Sequence, residues 1–400
     1  MGSIKIRSQL YAAMKRPVYL DYNATTPVDA RVLEEMLPYF TEHYGNASSK
    51  GHAFGWAAEE AVKMARESVA ALMGAEPEEI YFTGGSTESL NTAIKGVATT
   101  YRRKGNHIIT VKTEHKGVLN ACKTLERSGI EVTYLDVNEH GLINLDDLAE
   151  VITDQTILVS VMWANNETGV IQPVEQISTM VRDKGVLFMT DATQAYGKIP
   201  VDVSIVDLLT CTAHKFYGPK GIGAIYVRKR NPRVRLVPLI DGGSQEQGLR
   251  AGTTNVPGIV GFGAAARIAI EEQEAEAAKL KSLRDRFEER VLQGLPFVKI
   301  NGYEAPRLPH VSNLAFPGVT SAKLVTELRE LAMSTGSACS TGVGNPSHVL
   351  KAMGLSDEDA FATLRISLGR YTTSEEVDFA AEQIVSKVKY LRQNLAVTNP

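Results

Sequence analysis

Two apolar stretches, Thr156-Ile-Leu-Val-Ser-Val-Met162 and Val186-Leu-Phe-Met-Thr190, decide the fold. Both are rich in Val, Ile, Leu and Met with little polar alternation, which is typical of strands buried on both faces. A stretch with helical periodicity at 174–184 separates them. A buried strand, a helix and a second buried strand are the repeating unit of a mostly parallel, doubly wound sheet.

The same alternation extends toward the amino terminus. A helix predicted at 56–73 ends at Gly74, and strand and helix predictions then alternate down the chain. The predicted strands are 79–83, 107–111 and 131–135, and the predicted helices are 86–104 and 117–128. The fold class predicted for this part of the chain is therefore α/β.

The pattern changes near Gly258. A long helix is predicted at 260–292, and its charged second half is expected to bridge two domains on the surface. Strands at 311–316 and 363–368, separated by helices, then indicate a smaller α+β domain. The predicted division is a large domain at 27–266 and a small domain formed by 1–26 and 267–400.

Composition excludes several classes of protein. The chain has 400 residues with 43 Lys and Arg against 46 Asp and Glu, so a formal net charge of -3 gives no reason to expect a nucleic-acid or membrane partner. No leader-like apolar segment and no run long enough to span a bilayer are visible. The three cysteines, Cys122, Cys211 and Cys339, are far apart, which argues against a disulfide framework or a metal site and favours the cytoplasm.

The segment Thr83-Gly-Gly-Ser-Thr-Glu-Ser89 joins a predicted strand to a predicted helix. The free N–H groups of a first helical turn, beside the hydroxyls of Ser86 and Thr87, could bind a phosphate. A βα turn with an ordinary Ser or Thr cap explains the segment equally well.

Two charged residues follow strand-like runs downstream. Asp191 lies at the carboxyl end of an apolar strand, where ligands bind in open α/β sheets, and Lys215 precedes a glycine-rich turn. Taken singly, Asp191 could be a helix cap and Lys215 an exposed cation. An amine, a strand-end carboxylate and a phosphate-binding helix terminus together are what pyridoxal phosphate requires.

The chain resembles the cysteine desulfurases, which supply sulfur for iron–sulfur clusters and other thio-cofactors. The stretches that carry the resemblance are Tyr19-Leu-Asp-Tyr-Asn-Ala-Thr-Thr-Pro27, Thr83-Gly-Gly-Ser-Thr-Glu-Ser89, Thr113-Glu-His-Lys116, Asn165-Asn-Glu-Thr-Gly169, Asp191-Ala-Thr-Gln194, Ala213-His-Lys-Phe-Tyr-Gly-Pro-Lys-Gly221, Arg250-Ala-Gly-Thr253, Ser337-Ala-Cys339 and Arg365-Ile-Ser-Leu-Gly-Arg370. They follow the family's order over nearly the whole chain. The resemblance implies a pyridoxal-phosphate enzyme of fold type I.

The resemblance also implies roles for individual residues. Lys215 would hold the cofactor and remove the substrate's Cα proton, Asp191 would pair with the ring nitrogen, and His115 would stack on the ring and move protons. Gln194 would donate to the phenolate oxygen of the cofactor. The residues implied to bind the cofactor are Ser86, Thr87, His115, Asn166, Asp191, Gln194, Thr212, His214, Lys215 and Thr253.

Substrate and subunit contacts follow from the same resemblance. Asn166 and Arg365 would bind the substrate carboxylate, the arginine through a two-pronged contact. In the family, a threonine matching Thr253 reaches the phosphate from the neighbouring subunit, which implies a homodimer.

Cys339 determines the class of reaction. Its surroundings, residues 334–345, are small, polar and glycine-rich, which indicates an exposed loop. The resemblance implies that its thiolate takes sulfur from L-cysteine, leaving L-alanine and a persulfide on Cys339, and passes the sulfur to an iron–sulfur scaffold or other acceptor protein. No resident metal is expected, although the persulfide could transiently ligate an iron–sulfur cluster.

Three alternatives stay open at this point. The same scaffold could cleave selenocysteine or cysteine sulfinate, or carry out transamination, and a chain without activity could serve as a sulfur-assembly platform. A nicotinamide enzyme is suggested only by Gly261-Phe-Gly-Ala-Ala-Ala266, which lies inside a predicted helix and lacks the preceding strand that such a site requires.

Overall fold

The computed structural model describes residues 16–335 and 345–398, and these residues form a seven-stranded sheet, a four-stranded sheet and a short sheet of two strands. The strands are β1 (Val18–Tyr19), β2 (Ile80–Thr83), β3 (His107–Val111), β4 (Glu131–Leu135), β5 (Thr156–Ser160), β6 (Leu187–Asp191), β7 (Leu208–Thr212), β8 (Gly223–Val227), β9 (Lys299–Ile300), β10 (Val311–Ala315), β11 (Leu331–Ala332), β12 (Ser334–Thr335) and β13 (Thr363–Ser367). The helices are α1 (Ala30–Met36), α2 (Pro38–Thr41), α3 (Ala53–Ala71), α4 (Ser86–Thr100), α5 (Lys116–Glu126), α6 (Leu145–Val151), α7 (Val174–Asp183), α8 (Val256–Gly294), α9 (Ser321–Glu327), α10 (His348–Ala352), α11 (Asp357–Phe361) and α12 (Ser374–Thr398).

The larger sheet has the strand order β2-β8-β7-β6-β5-β3-β4. The two stretches that predicted the fold are β5 and β6, which pair in parallel with Leu158 opposite Leu187. Pairing is also parallel from β6 to β7, from β5 to β3 and from β3 to β4. The prediction of a mostly parallel, doubly wound sheet is confirmed.

β8, the strand between β2 and β7, was not predicted from the sequence. It runs antiparallel to both neighbours, with Thr83 and Thr212 each opposite Gly223. A short apolar strand that follows a glycine-rich turn has no helix before it, so the strand–helix alternation that revealed the other strands does not mark it.

Both faces of this sheet are covered by helices. Alternate strand residues point to opposite faces, so Ile109 and Val159 pack into one core and Ile108 and Leu158 into the other. The first core is closed by α3, α7 and the first half of α8, and the second by α4 and α5. Burying each large aliphatic side chain contributes about 1.5–3 kcal/mol, which explains why the sheet is apolar throughout.

The smaller sheet has the order β12-β13-β10-β9 and is antiparallel. Its core includes Leu280, Leu283, Phe287 and Val291 from the second half of α8, together with the buried face of α12. This half of α8 was expected to lie on the surface as a bridge between two domains, and the expectation of an exposed position is wrong because one of its faces is buried. This half of α8 carries many charged residues, but its apolar residues recur at helical spacing and pack on the smaller sheet.

The amino-terminal segment connects the two sheets beside the carboxyl ends of β6 and β7. Leu20 N donates to Ala332 O at 2.9 Å, Tyr22 N donates to Ser367 O at 3.3 Å, and Thr26 N donates to His214 O at 3.0 Å. Because β6 ends at Asp191 and β7 at Thr212, this crossing brings residues of the amino terminus to the edge where the candidate site lies.

None of the described helices is both long and apolar enough to cross a membrane. The Gly261–Ala266 motif lies inside α8 without a preceding strand, so the nicotinamide alternative has no structural support. The division into domains at 27–266 and its flanks stays a prediction.

Candidate active site

A cavity of about 580 Å³ opens at the carboxyl edge of the larger sheet. Ten of the residues singled out from the sequence line it: Ser86, Thr87, His115, Asn166, Asp191, Gln194, Thr212, His214, Lys215 and Arg365. These residues come from segments up to 279 positions apart, between Ser86 and Arg365, so only the fold brings them together.

Lys215 places an amine in the cavity. It lies on the short turn Ala213–Lys215 that follows β7, and its Nζ donates to the carbonyl oxygens of Asn23 at 2.6 Å and Ala24 at 2.8 Å. The pKa of this amine falls to about 8 because the group is desolvated and because the Arg365 cation is near. A lysine with a lowered pKa is a better nucleophile and proton carrier at neutral pH.

Asp191 ends β6 and is buried. Thr193 N donates to its Oδ1 at 2.9 Å, and Thr210 Oγ1 donates to the same oxygen at 3.4 Å. Among the described residues both hydrogen bonds use Oδ1, which leaves Oδ2 available to a cationic ring nitrogen. Asp191 therefore accepts a cap-like hydrogen bond from Thr193 N and also lines the cavity.

The amino terminus of α4 supplies backbone donors. Gly85 is its cap residue, with φ at +144°, and no side chain within the described segments caps this helix. A Cβ on Gly223 would lie 2.7 Å from Gly85 Cα, so β8 approaches this turn closely. The uncapped first turn, with Ser86 Oγ 2.7 Å from Thr193 Oγ1, forms the type of site that binds phosphate.

His115 is the cap residue of α5 and lines the cavity. Its Nδ1 accepts from Gly117 N at 3.0 Å. This bond favours the tautomer whose proton is on Nε2, so that nitrogen can donate to or exchange a proton with a ligand.

Arg365 brings a guanidinium to the cavity from β13. Its Nη2 forms an ion pair with Asp21 Oδ1 at 2.6 Å and its Nη1 donates to Asn166 O at 3.0 Å. Its buried Nε has no hydrogen-bond partner among the described residues. An unpaired donor on a buried guanidinium favours the binding of a carboxylate there.

His214 and Thr212 are already engaged within the protein. His214 Nδ1 lies 3.1 Å from Thr25 Oγ1, and burial together with nearby lysines lowers the pKa of its imidazole to about 4, so the ring is neutral at neutral pH. Thr212 Oγ1 donates to Ile222 O at 2.8 Å. Its hydroxyl would have to turn before it could donate to a phosphate.

One predicted site residue is not brought into the cavity, and another cannot be placed. Thr253 is exposed and is not among the lining residues. Cys339 lies outside the described residues. The other two cysteines, Cys122 and Cys211, are buried.

Five further polar residues line the cavity but were not singled out from the sequence: Asn23, Thr25, Glu88, Thr193 and Lys220. All five lie within stretches quoted for the family resemblance, so the motifs contained a signal that composition and spacing did not. Across the segments that the structure describes, no cluster of three or more His, Cys, Asp or Glu could hold a metal ion.

The doubly wound sheet and this cavity define an enzyme of fold type I that depends on pyridoxal phosphate. The profile of the aminotransferase class-V family matches residues 18–379, and the chain belongs to that family. The predicted family resemblance, fold type and cofactor are thereby confirmed.

Relatives with known names agree in length as well as in sequence. A protein of Anaeromyxobacter sp. (strain Fw109-5), "Cysteine desulfurase IscS", is 52% identical over 382 residues, which are 95% of this chain and 94% of the relative. A solved structure called "NIFS-LIKE PROTEIN" is 40% identical with a TM-score of 0.87, covering 94% of this chain and 100% of that one. Another, "SspA in complex with cysteine", is 40% identical with a TM-score of 0.78, covering 89% of this chain and 99% of that one.

Proposed function

We propose that this chain is a pyridoxal-phosphate-dependent cysteine desulfurase, which takes sulfur from L-cysteine and leaves L-alanine. One observation carries the proposal: an amine, a strand-end carboxylate and a carboxylate-binding guanidinium share one cavity in a chain that is 52% identical to a named cysteine desulfurase. The enzyme class predicted from the sequence is the one that the relatives carry in their names.

The residues around the cavity fit pyridoxal phosphate. The uncapped first turn of α4 at Ser86 and Thr87 would hold the phosphate, Asp191 the ring nitrogen, and Lys215 the aldehyde carbon. Gln194, His115, Asn166, Thr212 and His214 lie around the same space. When bound, the cofactor supplies an electron sink for the carbanion that forms at the substrate Cα.

The protein's own groups bind the substrate and move its protons. Arg365 and Asn166 would hold the carboxylate of L-cysteine, which fixes the direction of its Cα–H bond. The Lys215 amine, with its pKa lowered to about 8, would accept the Cα proton. His115 Nε2 would donate or accept a proton at the substrate because its Nδ1 is committed to Gly117 N.

Cys339 would receive the sulfur. Its thiolate attacks the sulfur of cysteine, an S–S bond forms as the substrate C–S bond breaks, and the bonding electron pair stays with the substrate carbon. That carbon takes a proton and Lys215 returns a proton to Cα, which gives L-alanine, and the sulfur remains as a persulfide on Cys339. An iron–sulfur scaffold or another acceptor protein would then remove it.

The assembly that we propose is a homodimer with two domains per subunit, at 27–266 and at 1–26 with 267–400. Exposed large apolar side chains support self-association: Leu33, Leu37, Phe40, Tyr44, Phe54 and Trp56 are 45–65% exposed, and the rings of Tyr44 and Phe54 lie 5.3 Å apart. Burying such side chains against a second copy would remove apolar surface from water. We also propose that the enzyme acts in the cytoplasm.

The test compares the wild type with Cys339→Ala. Incubation with L-cysteine and a reductant should give equal amounts of alanine and sulfide from the wild type, and neither from Cys339→Ala, although both retain bound cofactor. Lys215→Ala is the matched control that should lose the visible cofactor band. Full activity of Cys339→Ala, or release of product only from selenocysteine or cysteine sulfinate, would overturn the proposal.

A further inference from the structure

Both polar atoms of the Gln194 side chain are held by the protein. Its Oε1 accepts from Lys198 Nζ at 2.9 Å, and its Nε2 donates to Asn23 O at 3.1 Å. The opposite amide orientation would turn the N–H groups toward the Lys198 amine and the oxygen toward the Asn23 carbonyl. The contact with the Asn23 carbonyl would then be repulsive, and so would the contact with Lys198 when its amine is charged, so these surroundings favour one orientation of the amide.

Lys198 is itself held by groups from distant parts of the chain. Its Nζ lies 3.1 Å from His310 Nε2 and donates to Asn23 Oδ1 over 3.4 Å. His310 Nε2 is also 2.7 Å from Asn23 Oδ1. Among the described residues Lys198 has no ion pair, which makes Gln194 Oε1 the nearest oxygen acceptor for its amine.

Asn23 connects Lys198 and His310 to the other residues of the site through hydrogen bonds. Its Nδ2 donates to Asn166 O at 3.0 Å, and its carbonyl oxygen accepts from Lys215 as well as from Gln194. The charged groups that act on Lys198 are Lys215, Glu276 and Arg365, and burial with the nearby Lys215 cation lowers its pKa. Lys198 donates to Gln194 whether its amine is charged or neutral.

We propose that Lys198 is a positioning residue that fixes the amide of Gln194 with its N–H group toward the cofactor cavity, and that Asn23 and His310 hold Lys198 in place. Lys198 does not line the cavity, whereas Gln194 does. A glutamine whose oxygen is committed to Lys198 presents a donor and not an acceptor to an anionic oxygen. This inference rests on the proposed function, since the cofactor's phenolate is the anionic oxygen concerned.

The primary test is Lys198→Met, which removes the donor but keeps the length of the side chain. The variant should still bind pyridoxal phosphate, but the midpoint of the pH titration of its visible band should rise by up to about one pH unit, since Asn23 O alone then holds the amide and the donor to the phenolate is less firmly fixed. The kcat for L-cysteine should fall about tenfold while KM stays nearly unchanged. Lys104→Met is the matched control, because Lys104 donates to Gly185 O on the surface at 2.5 Å.

A double-mutant cycle separates positioning from a direct effect of charge. In a Gln194→Ala background, Lys198→Met should move the midpoint no further, because the group through which it acts is absent. An unchanged midpoint in the single variant, or additive shifts in the double variant, would overturn the proposal. Lys198→Gln, whose chain is too short for the same contact, serves as a second variant if Lys198→Met does not fold.

The same preparations distinguish failure of this inference from failure of the proposed function. A wild type that binds the cofactor but releases no alanine from L-cysteine would contradict the function only. In that case the spectroscopic midpoint still reports on Lys198, because it requires bound cofactor and no turnover.

Discussion

At Lys215, two effects act on the amine in the same direction. Burial disfavours the ammonium form, and the Arg365 cation disfavours it further, so the pKa falls from 10.5 to about 8. At pH 7 the neutral fraction is then about 300 times that of an ordinary lysine. The guanidinium proposed to bind the substrate carboxylate therefore also prepares the amine that receives the cofactor.

This coupling predicts how cofactor uptake depends on pH. The rate at which apo-protein gains the visible band with pyridoxal phosphate should rise with pH and level off above about pH 8, because only the neutral amine reacts. In Arg365→Met the midpoint should move upward, since one of the two causes of the low pKa is gone. Stopped-flow absorbance measures both, with the surface variant Arg286→Met as the control. An unmoved midpoint in Arg365→Met would contradict the coupling.

Among the secondary-structure elements, the sequence predicted best where local pattern and tertiary role agree. The buried runs at β5 and β6 and the helix before β6 were predicted close to their observed bounds. The missed β8 and the misjudged second half of α8 both depend on partners distant in sequence. Periodicity describes one element at a time, so it cannot show which neighbour covers it.

The candidate site could also be predicted from the sequence only in part. Lys215 and Asp191 were predictable because Lys215 follows a buried strand and Asp191 ends one, and the family motifs added most of the other predicted residues that line the cavity. The contacts of Lys198 were not predictable, because His310 is 112 positions away and Asn23 is 175 positions away. Only the crossing of the amino-terminal segment between the two sheets places these three residues together.

One contact between elements has a predictable pH dependence. Burial raises the pKa of Glu167 to about 7, although the hydroxyl of Ser347, which donates to its Oε2 at 2.5 Å, and the cations Arg365 and Lys116 oppose this. A carboxyl group whose pKa is raised in the folded state stabilises the fold below its unfolded value of 4.5, and this contribution is lost as pH rises through about 7. Glu167 lies in the Asn165–Gly169 turn and accepts from Ser347, which caps α10. When the Glu167 carboxyl group is charged, it therefore destabilises the fold.

Glu167→Gln should remove this dependence, because the amide resembles the protonated acid and can still accept from Ser347. At about pH 8 the variant should be more stable than the wild type by up to about 3 kcal/mol, and at about pH 5 the difference should largely disappear. Urea unfolding at the two pH values measures it. Glu139→Gln, at a site with a side chain 84% exposed, is the control and should show no such change. An equal effect of Glu167→Gln at both pH values would contradict the raised pKa.

On the scale of the whole molecule, the subunit as described leaves part of the proposed site outside its own cavity. Thr253 is exposed and does not line the cavity, whereas Asp191 and Lys215 do. The exposed apolar residues of 33–56 provide a surface on which a second copy could pack. If a partner's surface closes the site, Thr253 and Lys215 of any one complete site must come from different subunits.

Mixed dimers test this arrangement. Thr253→Ala should weaken cofactor binding about tenfold or more, since it removes a donor to a charged phosphate, and Lys215→Ala should abolish the visible band. A dimer that joins one subunit of each variant contains one site with both residues intact, so it should regain the band and desulfurase activity at that site. Differently tagged subunits, co-expressed and purified through both tags, allow the measurement at limiting cofactor. Pairing Lys215→Ala with Asp191→Asn is the matched control that should recover no desulfurase activity, because both residues line the same subunit's cavity and neither site is complete. If the Thr253 pairing recovers no more than this control, Thr253 does not act across a subunit boundary.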